Sequence, residues 1–213
     1  MTAVLWLLTV QGALGAFDTL YFHEWRAQLP ARRGMRPELA LHAVRSAIYG
    51  AVFCTLPWVA WSGPAGLLLA GLLASEAVIT FADFVVEDRV RTSLGGVFPG
   101  ERVMHGLMAI VYGAFLAGFL PVLGAWIAGD ATTLGNSSPP LLLAGLTVLG
   151  VGSFLSGLRD ALAATGVRPG AWPWRQADRP QPSPEQSWPA RPSLPLLLGA
   201  VVLVAVIARR SRP

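Results

Sequence analysis

Long apolar runs, separated by short polar segments, dominate the hydrophobic pattern of this chain. Five of these runs are long enough to cross a lipid bilayer, whose hydrocarbon core of about 30 Å takes a helix of roughly 20 residues. They occupy residues 2–23, 39–61, 64–86, 103–128 and 140–158, and a shorter run follows at residues 194–208. The pattern predicts an all-α integral membrane protein with five transmembrane helices and a short sixth apolar segment.

One polar pattern occurs twice within the apolar runs. Residues 38–53 read ELALHAVRSAIYGAVF and residues 101–116 read ERVMHGLMAIVYGAFL, so both contain Glu-x3-His-x6-Tyr-Gly-Ala. Such a coincidence of polar positions in a very apolar chain indicates an internal repeat.

The repeat extends backwards into the preceding helices. Aligning Asp18 with Asp83 places Gln11 opposite Glu76, seven residues earlier in both cases. Each half is therefore predicted to be a helical hairpin, and two such hairpins, related by a pseudo-twofold axis along the membrane normal, make a four-helix transmembrane bundle. The bundle covers residues 1–128, with repeats at 1–61 and 64–128.

Three segments follow the predicted bundle. Residues 139–165 form a fifth transmembrane helix, and residues 166–193 are rich in Pro, Arg and Trp, which is typical of a linker without regular helix. We expect this linker to be cytoplasmic or interfacial. Residues 194–213 form a short terminal apolar helix with a basic tail. The region 139–213 is a candidate surface for a membrane protein partner.

Composition supports a membrane protein and excludes some functions. The chain is 54% hydrophobic and 13% charged, and its mean hydropathy is +0.54, outside the usual range of soluble domains. All 16 basic residues are Arg, but no basic face is interleaved with exposed aromatics, so nucleic-acid binding is not expected. The single cysteine, Cys54, excludes an internal disulfide.

The distribution of arginine predicts the orientation in the membrane. Arginines cluster after the first apolar run and between the third and fourth, at Arg26, Arg32, Arg33, Arg36, Arg89, Arg91 and Arg102. By the positive-inside rule, loops 25–37 and 87–102 are then cytoplasmic and the N-terminus is outside. We expect a bacterial cytoplasmic membrane, and we expect residues 1–16 to be retained as part of the first helix.

Helix geometry arranges the polar residues of the bundle into stripes. Steps of four, seven and eleven residues return a side chain to within about 40° of one direction on a helix of 3.6 residues per turn. The predicted stripes are Gln11 and Asp18; Glu38, His42, Arg45 and Tyr49; Glu76, Asp83 and Glu87; and Glu101, His105 and Tyr112. At a rise of about 1.5 Å per residue, most carboxylates and the imidazoles lie near the cytoplasmic face, and the tyrosines with Glu76 lie roughly 10 Å deeper.

Ionisable side chains inside a membrane are costly, by about 2.5–3.5 kcal/mol each on insertion scales, and normally face a partner in the bundle interior. Carboxylates converging from four helices need positive charge among them, which protons, Arg45 or a metal would supply. The predicted metal ligands are Asp18, Glu38, His42, Asp83, Glu87, Glu101 and His105.

This ligand set resembles that of soluble ferritin-like di-iron bundles, in which two helices each give a carboxylate and two each give a Glu-x-x-His pair. Asp18 on the first helix and Asp83 or Glu87 on the third match the single carboxylates, whereas the Glu-His pairs of this chain are spaced four apart rather than three. The resemblance implies a dinuclear metal site, most readily of iron, with manganese and zinc as alternatives.

The leading hypothesis is a membrane-embedded oxidoreductase acting on a lipid-soluble substrate, such as an acyl chain, an isoprenoid or a quinone, that enters laterally. With zinc, the same site would activate water for hydrolysis. The predicted catalytic residues, which would deliver protons or electrons around the metal, are Glu76, Tyr49, Tyr112 and Arg45.

Other interpretations stay open. His42 and His105 would also suit axial ligation of a b-type haem, and the carboxylate stripes would suit proton transfer in a non-catalytic subunit or carrier of a larger complex. His23 and Glu24 lie near Arg26, so ligation and interfacial ion pairing are both compatible with the sequence. Asp88, beside Arg89 and Arg91, is predicted to be solvated.

Overall fold

The computed structural model describes residues 1–129 and 138–167. Within this part 86% of the residues are helical and no strand occurs. The α-helices are α1 (Thr2–Phe17), α2 (Arg36–Thr55), α3 (Pro64–Val90), α4 (Pro99–Ile127) and α5 (Pro140–Ala164). The predictions for residues 168–193 and for the terminal segment at 194–213 lie outside the described residues.

Two of these helices continue in a different helical geometry. α1 runs without a break into a π-helical segment, Asp18–Ala27, and α3 runs into a 3₁₀ turn, Arg91–Leu94. The hydrogen bonds of a π-helix join residues five apart, and such segments are rare and concentrate at functional sites. The π-helical segment ends at Gln28, which has φ 53° and ψ 42°, a left-handed conformation that closes the helix.

Proline sets the start of four helices. α2, α3, α4 and α5 each have a proline in the first two positions. At that point the missing N–H removes no intrahelical hydrogen bond, and the fixed φ of the ring already suits a helix. The polar repeat therefore begins immediately after a helix start in both α2 and α4.

Four helical stretches are long and apolar enough to cross a membrane, namely Thr2–Ala27, Pro64–Leu94, Pro99–Ile127 and Pro140–Ala164. For the residues that the structure describes, this confirms the prediction of an all-α architecture with several helices of that length. The predicted second span, 39–61, differs: α2 ends at Thr55, and Glu38, His42 and Arg45 in its first half make it the most polar helix of the five.

The five helices pack in a closed order in which α1 contacts α4, α4 contacts α3, α3 contacts α2, α2 contacts α5, and α5 contacts α1. The most extensive contact is that of α2 with α5. The structure therefore has five helical walls, where the sequence predicted four with a fifth span beside them.

Glycine allows α5 to approach α2 closely. A Cβ atom added to Gly150 would lie 2.5 Å from Cys54 Sγ, and one added to Gly157 would lie 2.9 Å from Ser46 Cβ. Small residues at the contact are typical of helices that pack by close backbone approach in membranes. This contact explains why α5 is a wall of the bundle.

Two apolar cores lie at opposite ends of the bundle. The larger includes Leu8, Phe53 and Phe119, and the smaller includes Leu29 and Phe98. Along α3, α4 and α5, the buried ionisable residues lie between members of the two cores, whereas His23, Glu24 and Glu38 lie among residues of the smaller core. The polar layer is thus closed by apolar packing at both ends.

Candidate metal centre

Buried acidic side chains are concentrated in the polar part of the bundle, which has a layer around the histidines and a deeper layer at Glu76. In the described part of the chain the buried acids are Asp18, Glu24, Glu38, Glu76, Asp83, Glu87, Glu101 and Asp160. The arginines that form ion pairs with members of this set are Arg45, Arg91 and Arg159. These guanidinium groups number fewer than the acids, so the layer holds an excess of buried acid that further cations, the imidazoles or bound protons must balance.

One group of four buried residues converges on a common point. Asp18, His23, Glu101 and His105 each offer a ligand atom, and these four atoms lie within 4.8 Å of one another. His23 Nε2 lies 3.3 Å from Asp18 Oδ2 and 3.1 Å from Glu101 Oε1, and His105 Nε2 lies 3.5 Å from Asp18 Oδ2.

These separations suit ligands of one ion. Two ligand atoms that bind a tetrahedral ion at about 2.0–2.1 Å lie about 3.3 Å from each other. Despite its two close carboxylates, His23 Nε2 makes no hydrogen bond, and Asp18 Oδ1 and Glu101 Oε2 also lack a partner. Buried polar atoms normally find one, so this group has the geometry and the unused lone pairs of a metal site.

The π-helical segment brings His23 into the group. On an α-helix, residues five apart point about 140° away from each other, and Asp18 and His23 would diverge. In the π-helix they lie on one face, which accounts for the 3.3 Å contact between them. An α-helical interpretation of this stretch misses His23 for that reason.

Glu87 lies behind His105 and outside the group of four. Its Oε1 is 3.5 Å from His105 Nδ1, the ring nitrogen opposite the one that faces Asp18. Metal-bound histidines usually have a carboxylate or carbonyl at the second nitrogen, which orients the ring. The structure places Glu87, a predicted ligand, in that orienting position.

The other predicted ligands form a neighbouring group around His42. His42 Nε2 lies 3.1 Å from Asp83 Oδ2 and 3.8 Å from Glu38 Oε1. Arg45 Nη1 also donates to Asp83 Oδ2, at 3.0 Å. The His42 ring stacks on the His23 ring, with centroids 4.6 Å apart and planes at 5°. The two groups are therefore adjacent, but an arginine takes part in the second.

Arg91 joins the two groups and is fully buried. Its Nε lies 3.0 and 3.1 Å from the two carboxylate oxygens of Glu38, its Nη1 lies 2.6 Å from Glu101 Oε1, and its Nη2 also donates to Glu38. Both oxygens of Glu38 are occupied by this guanidinium. The sequence analysis counted Arg91 among the loop arginines, but in the structure the side chain of Arg91, in the 3₁₀ turn after α3, is buried.

α5 contributes further charged groups to the layer. Arg159 donates to Glu24 on the π-helical segment, and Asp160 is buried with 7% exposure. Neither was assigned a role from the sequence, although two adjacent charges near the end of an apolar helix are a usable signal. Asp88, by contrast, is 70% exposed and pairs with Arg102, as expected of a solvated residue.

A deeper polar cluster lies at the level of the tyrosines. Gln11 Nε2 donates to Tyr49 Oη at 3.3 Å, and the Tyr49 and Tyr112 rings meet edge to face at 6.2 Å. Glu76 accepts a hydrogen bond from Thr80 at 2.8 Å through Oε1. The second oxygen of Glu76 and Oε1 of Gln11 have no partner. The predicted catalytic residues Tyr49, Glu76 and Tyr112 are thus brought together, in a layer separate from the four-residue group.

A cavity of about 760 Å³ connects the two polar layers. Asp18 and His105 of the four-residue group line it, as do Arg45 and the deep cluster, and all five helices contribute to its wall. Such a volume suits a small organic molecule.

The structure separates the predicted ligands into three positions. Asp18, Glu101 and His105 belong to the group of four, Glu38, His42 and Asp83 belong to the neighbouring group, and Glu87 stands behind His105. His42 and His105, the predicted haem ligands, each have a carboxylate at Nε2.

Comparison of the chain with protein-family models, with curated proteins and with solved structures finds no match.

Proposed function

We propose that this protein is a membrane-embedded metalloenzyme that acts on a lipid-soluble substrate. The observation that carries the proposal is the convergence of two imidazoles and two carboxylates, Asp18, His23, Glu101 and His105, within 4.8 Å of one another in a buried layer. The unpartnered nitrogen of His23 and the unpartnered oxygens of its two neighbours support a bound cation.

The ligand types favour iron, manganese or zinc, since the set contains nitrogen and oxygen donors and no thiolate. We favour iron and an oxidation reaction, because histidine and carboxylate ligands with open positions are those of non-haem iron oxygenases. Zinc in the same group would instead lower the pKa of a bound water and support hydrolysis.

A single ion per chain fits the contacts best. The second ion of a dinuclear centre would need Glu38, His42 and Asp83, but Arg91 occupies both oxygens of Glu38 and Arg45 donates to Oδ2 of Asp83. Arg91 also donates to Oε1 of Glu101 in the group of four, but Oε2 of Glu101 has no partner. A dinuclear site therefore requires Arg91 to release Glu38. The metal content per chain distinguishes the two forms.

The substrate would reach the group through the cavity. Phe81 and Leu155 line the cavity and are also 69% and 63% exposed on the outer surface. In a membrane, this surface would face acyl chains, so a lipid-soluble molecule would enter laterally between helices. Tyr49, Glu76 and Arg45 along the wall would position it and transfer protons.

We further propose that α2 crosses the membrane together with the four long apolar helices, as part of two tandem hairpins closed by α5. The N-terminus is then outside and the four-residue group lies near the cytoplasmic face of a bacterial membrane, since most of the loop arginines lie at that end. α2 can cross because its polar residues Glu38, His42 and Arg45 contact other buried side chains.

The test is metal analysis of the full chain, purified in detergent, with optical and electron paramagnetic resonance spectra. We expect about one non-haem metal ion per chain, lost in His23→Ala and kept in His42→Ala, because His23 belongs to the group of four and His42 does not. Asp88→Asn, at an exposed acid, is the matched control for the loss of one ionisable group.

The outcomes separate the hypotheses. Two ions per chain, both lost in His42→Ala, would establish the dinuclear form. A haem absorption band that disappears in His42→Ala and His105→Ala would replace the proposal with a b-type cytochrome. If protein purified from cells grown with each of the three metals contains neither metal nor haem, the metalloenzyme proposal is refuted.

A further inference from the structure

Residues of the deep polar cluster line one part of the cavity. We propose that the ligand is an elongated apolar molecule with a neutral hydroxyl group, and that this hydroxyl donates its one proton in a three-centre hydrogen bond shared by Oε2 of Glu76 and Oε1 of Gln11. The inference rests on the proposed function for the other end of the molecule, which would lie at the group of Asp18 and His105.

Unpartnered acceptors mark the binding point. Glu76 is 2% exposed and Gln11 is 6% exposed, yet Oε2 of Glu76 and Oε1 of Gln11 have no hydrogen-bond partner. Both residues line the cavity. Buried acceptors without donors are costly, so a ligand that brings a donor gains affinity at this point.

The apolar surroundings favour a neutral donor over an ammonium or a carboxylate. An ammonium would have to lose its hydration to reach this depth of the bundle. A carboxylate would bear the same cost and would also meet two acceptors. An alcohol or a phenol supplies the donor without either cost.

Helix spacing sets the length of the ligand. Gln11 and Asp18 on α1, Glu76 and Asp83 on α3, and Tyr112 and His105 on α4 are each seven residues apart. At about 1.5 Å per residue, three helices place the two layers roughly 10 Å from each other. A molecule that reaches from one layer to the other therefore needs an apolar body of about this length.

Apolar side chains line the space between the layers. Phe81, Met108 and Ala109, which lie between the two layers by their positions along α3 and α4, belong to this part of the wall. The short side chains of Ser46 and Thr80 also line it. The cavity consequently favours a chain or ring system with its polar group at one end.

The experiment is photolabelling of the full chain in nanodiscs with a long-chain primary alcohol that carries a diazirine about 10 Å from its hydroxyl. The matched probes are its methyl ether and the corresponding carboxylic acid. We expect the alcohol to label the wild type about tenfold or more above either probe, with the crosslinks on α3 or α4 near Phe84 and His105.

Two variants and one control test the contact. Glu76→Leu and Gln11→Leu, which lie on different helices, should each reduce the preference for the alcohol to about that for the ether. Val78→Leu, at an outward-facing residue of α3 that is 67% exposed and is not among the residues that line the cavity, should keep the preference. Thermal unfolding of each variant identifies any that fails to fold, and the second variant then decides.

Equal labelling by alcohol and ether in the wild type would overturn the inference, as would a preference unchanged in both folded variants. Metal content of the same samples separates this result from the proposed function. Alcohol preference in a protein without metal would support the hydroxyl site alone, and metal binding without alcohol preference would support the metalloenzyme alone.

Discussion

Replacement of Arg91 tests how the polar layer is held together. Arg91→Met keeps most of the aliphatic chain but leaves Glu38 and Glu101 as buried carboxylates without their guanidinium. Each hydrogen bond to a charged group contributes about 1.5–3 kcal/mol, yet the freed carboxylates can take up protons. We therefore expect the net loss of breaking a buried pair, about 3–5 kcal/mol in the free energy of unfolding.

The assay is reversible unfolding of the detergent-solubilised protein, followed by tryptophan fluorescence and circular dichroism. The matched control is Arg102→Met, since Arg102 pairs with Asp88 at the surface with 61% of its side chain exposed, and such pairs contribute about 0–1 kcal/mol. Adding Glu38→Gln to Arg91→Met should recover part of the loss, because the amide is neutral. Equal effects of the two arginine variants, or no recovery by the double variant, would refute the stabilising role of Arg91 as the buried partner of Glu38 and Glu101.

Two further predictions concern packing and orientation. Gly150→Ala should destabilise the protein by about 1–3 kcal/mol at the α2–α5 contact, because the new Cβ would lie 2.5 Å from Cys54 Sγ. Gly145→Ala on the same helix should not destabilise it, because a Cβ at Gly145 meets nothing within 4 Å. Equal unfolding midpoints of the two variants would contradict this packing. The topology is tested with single cysteines in a chain that lacks Cys54, at two exposed serines that lie at opposite ends of α3. Ser62→Cys should react with a membrane-impermeant maleimide in intact cells, whereas Ser93→Cys should react only after the cells are opened. The reverse pattern would invert the proposed topology.

Helix existence and the polar layer were predictable because both follow from local chemistry. Long apolar runs in a chain without strand signals specify helices, and prolines mark where α2 to α5 begin. The spacing of Glu38 and His42, and of Glu101 and His105, placed these pairs correctly on inward faces, because α2 and α4 are regular α-helices there.

The parts that the sequence missed or, as with ligation by His23, left open depend on long-range packing or on irregular backbone. His23 enters the layer only because the chain is π-helical from Asp18 onwards, and no residue in that stretch signals the change. Arg91 turns inward because a 3₁₀ turn follows α3, and a loop position gave no indication of burial. α5 packs against α2 through Gly150 and Gly157, a contact between elements about a hundred positions apart in the chain.

The predicted repeat explains why one half of the layer suits a metal and the other does not. The carboxylate–imidazole contacts follow the predicted pseudo-twofold relation, since Asp18 lies 3.5 Å from His105 and Asp83 lies 3.1 Å from His42. The third partner differs between the group at Asp18 and the group at Asp83. At Asp18 it is His23, five residues later, whereas Asp88, the residue five positions after Asp83, is exposed.

At Asp83 the third partner is Arg45, and the equivalent residue of the repeat on α4 is the apolar Met108. A guanidinium 3.0 Å from Asp83 thus supplies the positive charge that the proposed metal supplies beside Asp18. The predicted repeat would then balance its buried carboxylates in two ways, with the proposed ion in one half and with an arginine in the other. This asymmetry is the physical reason to expect one metal ion per chain, although the resemblance to di-iron bundles implies two.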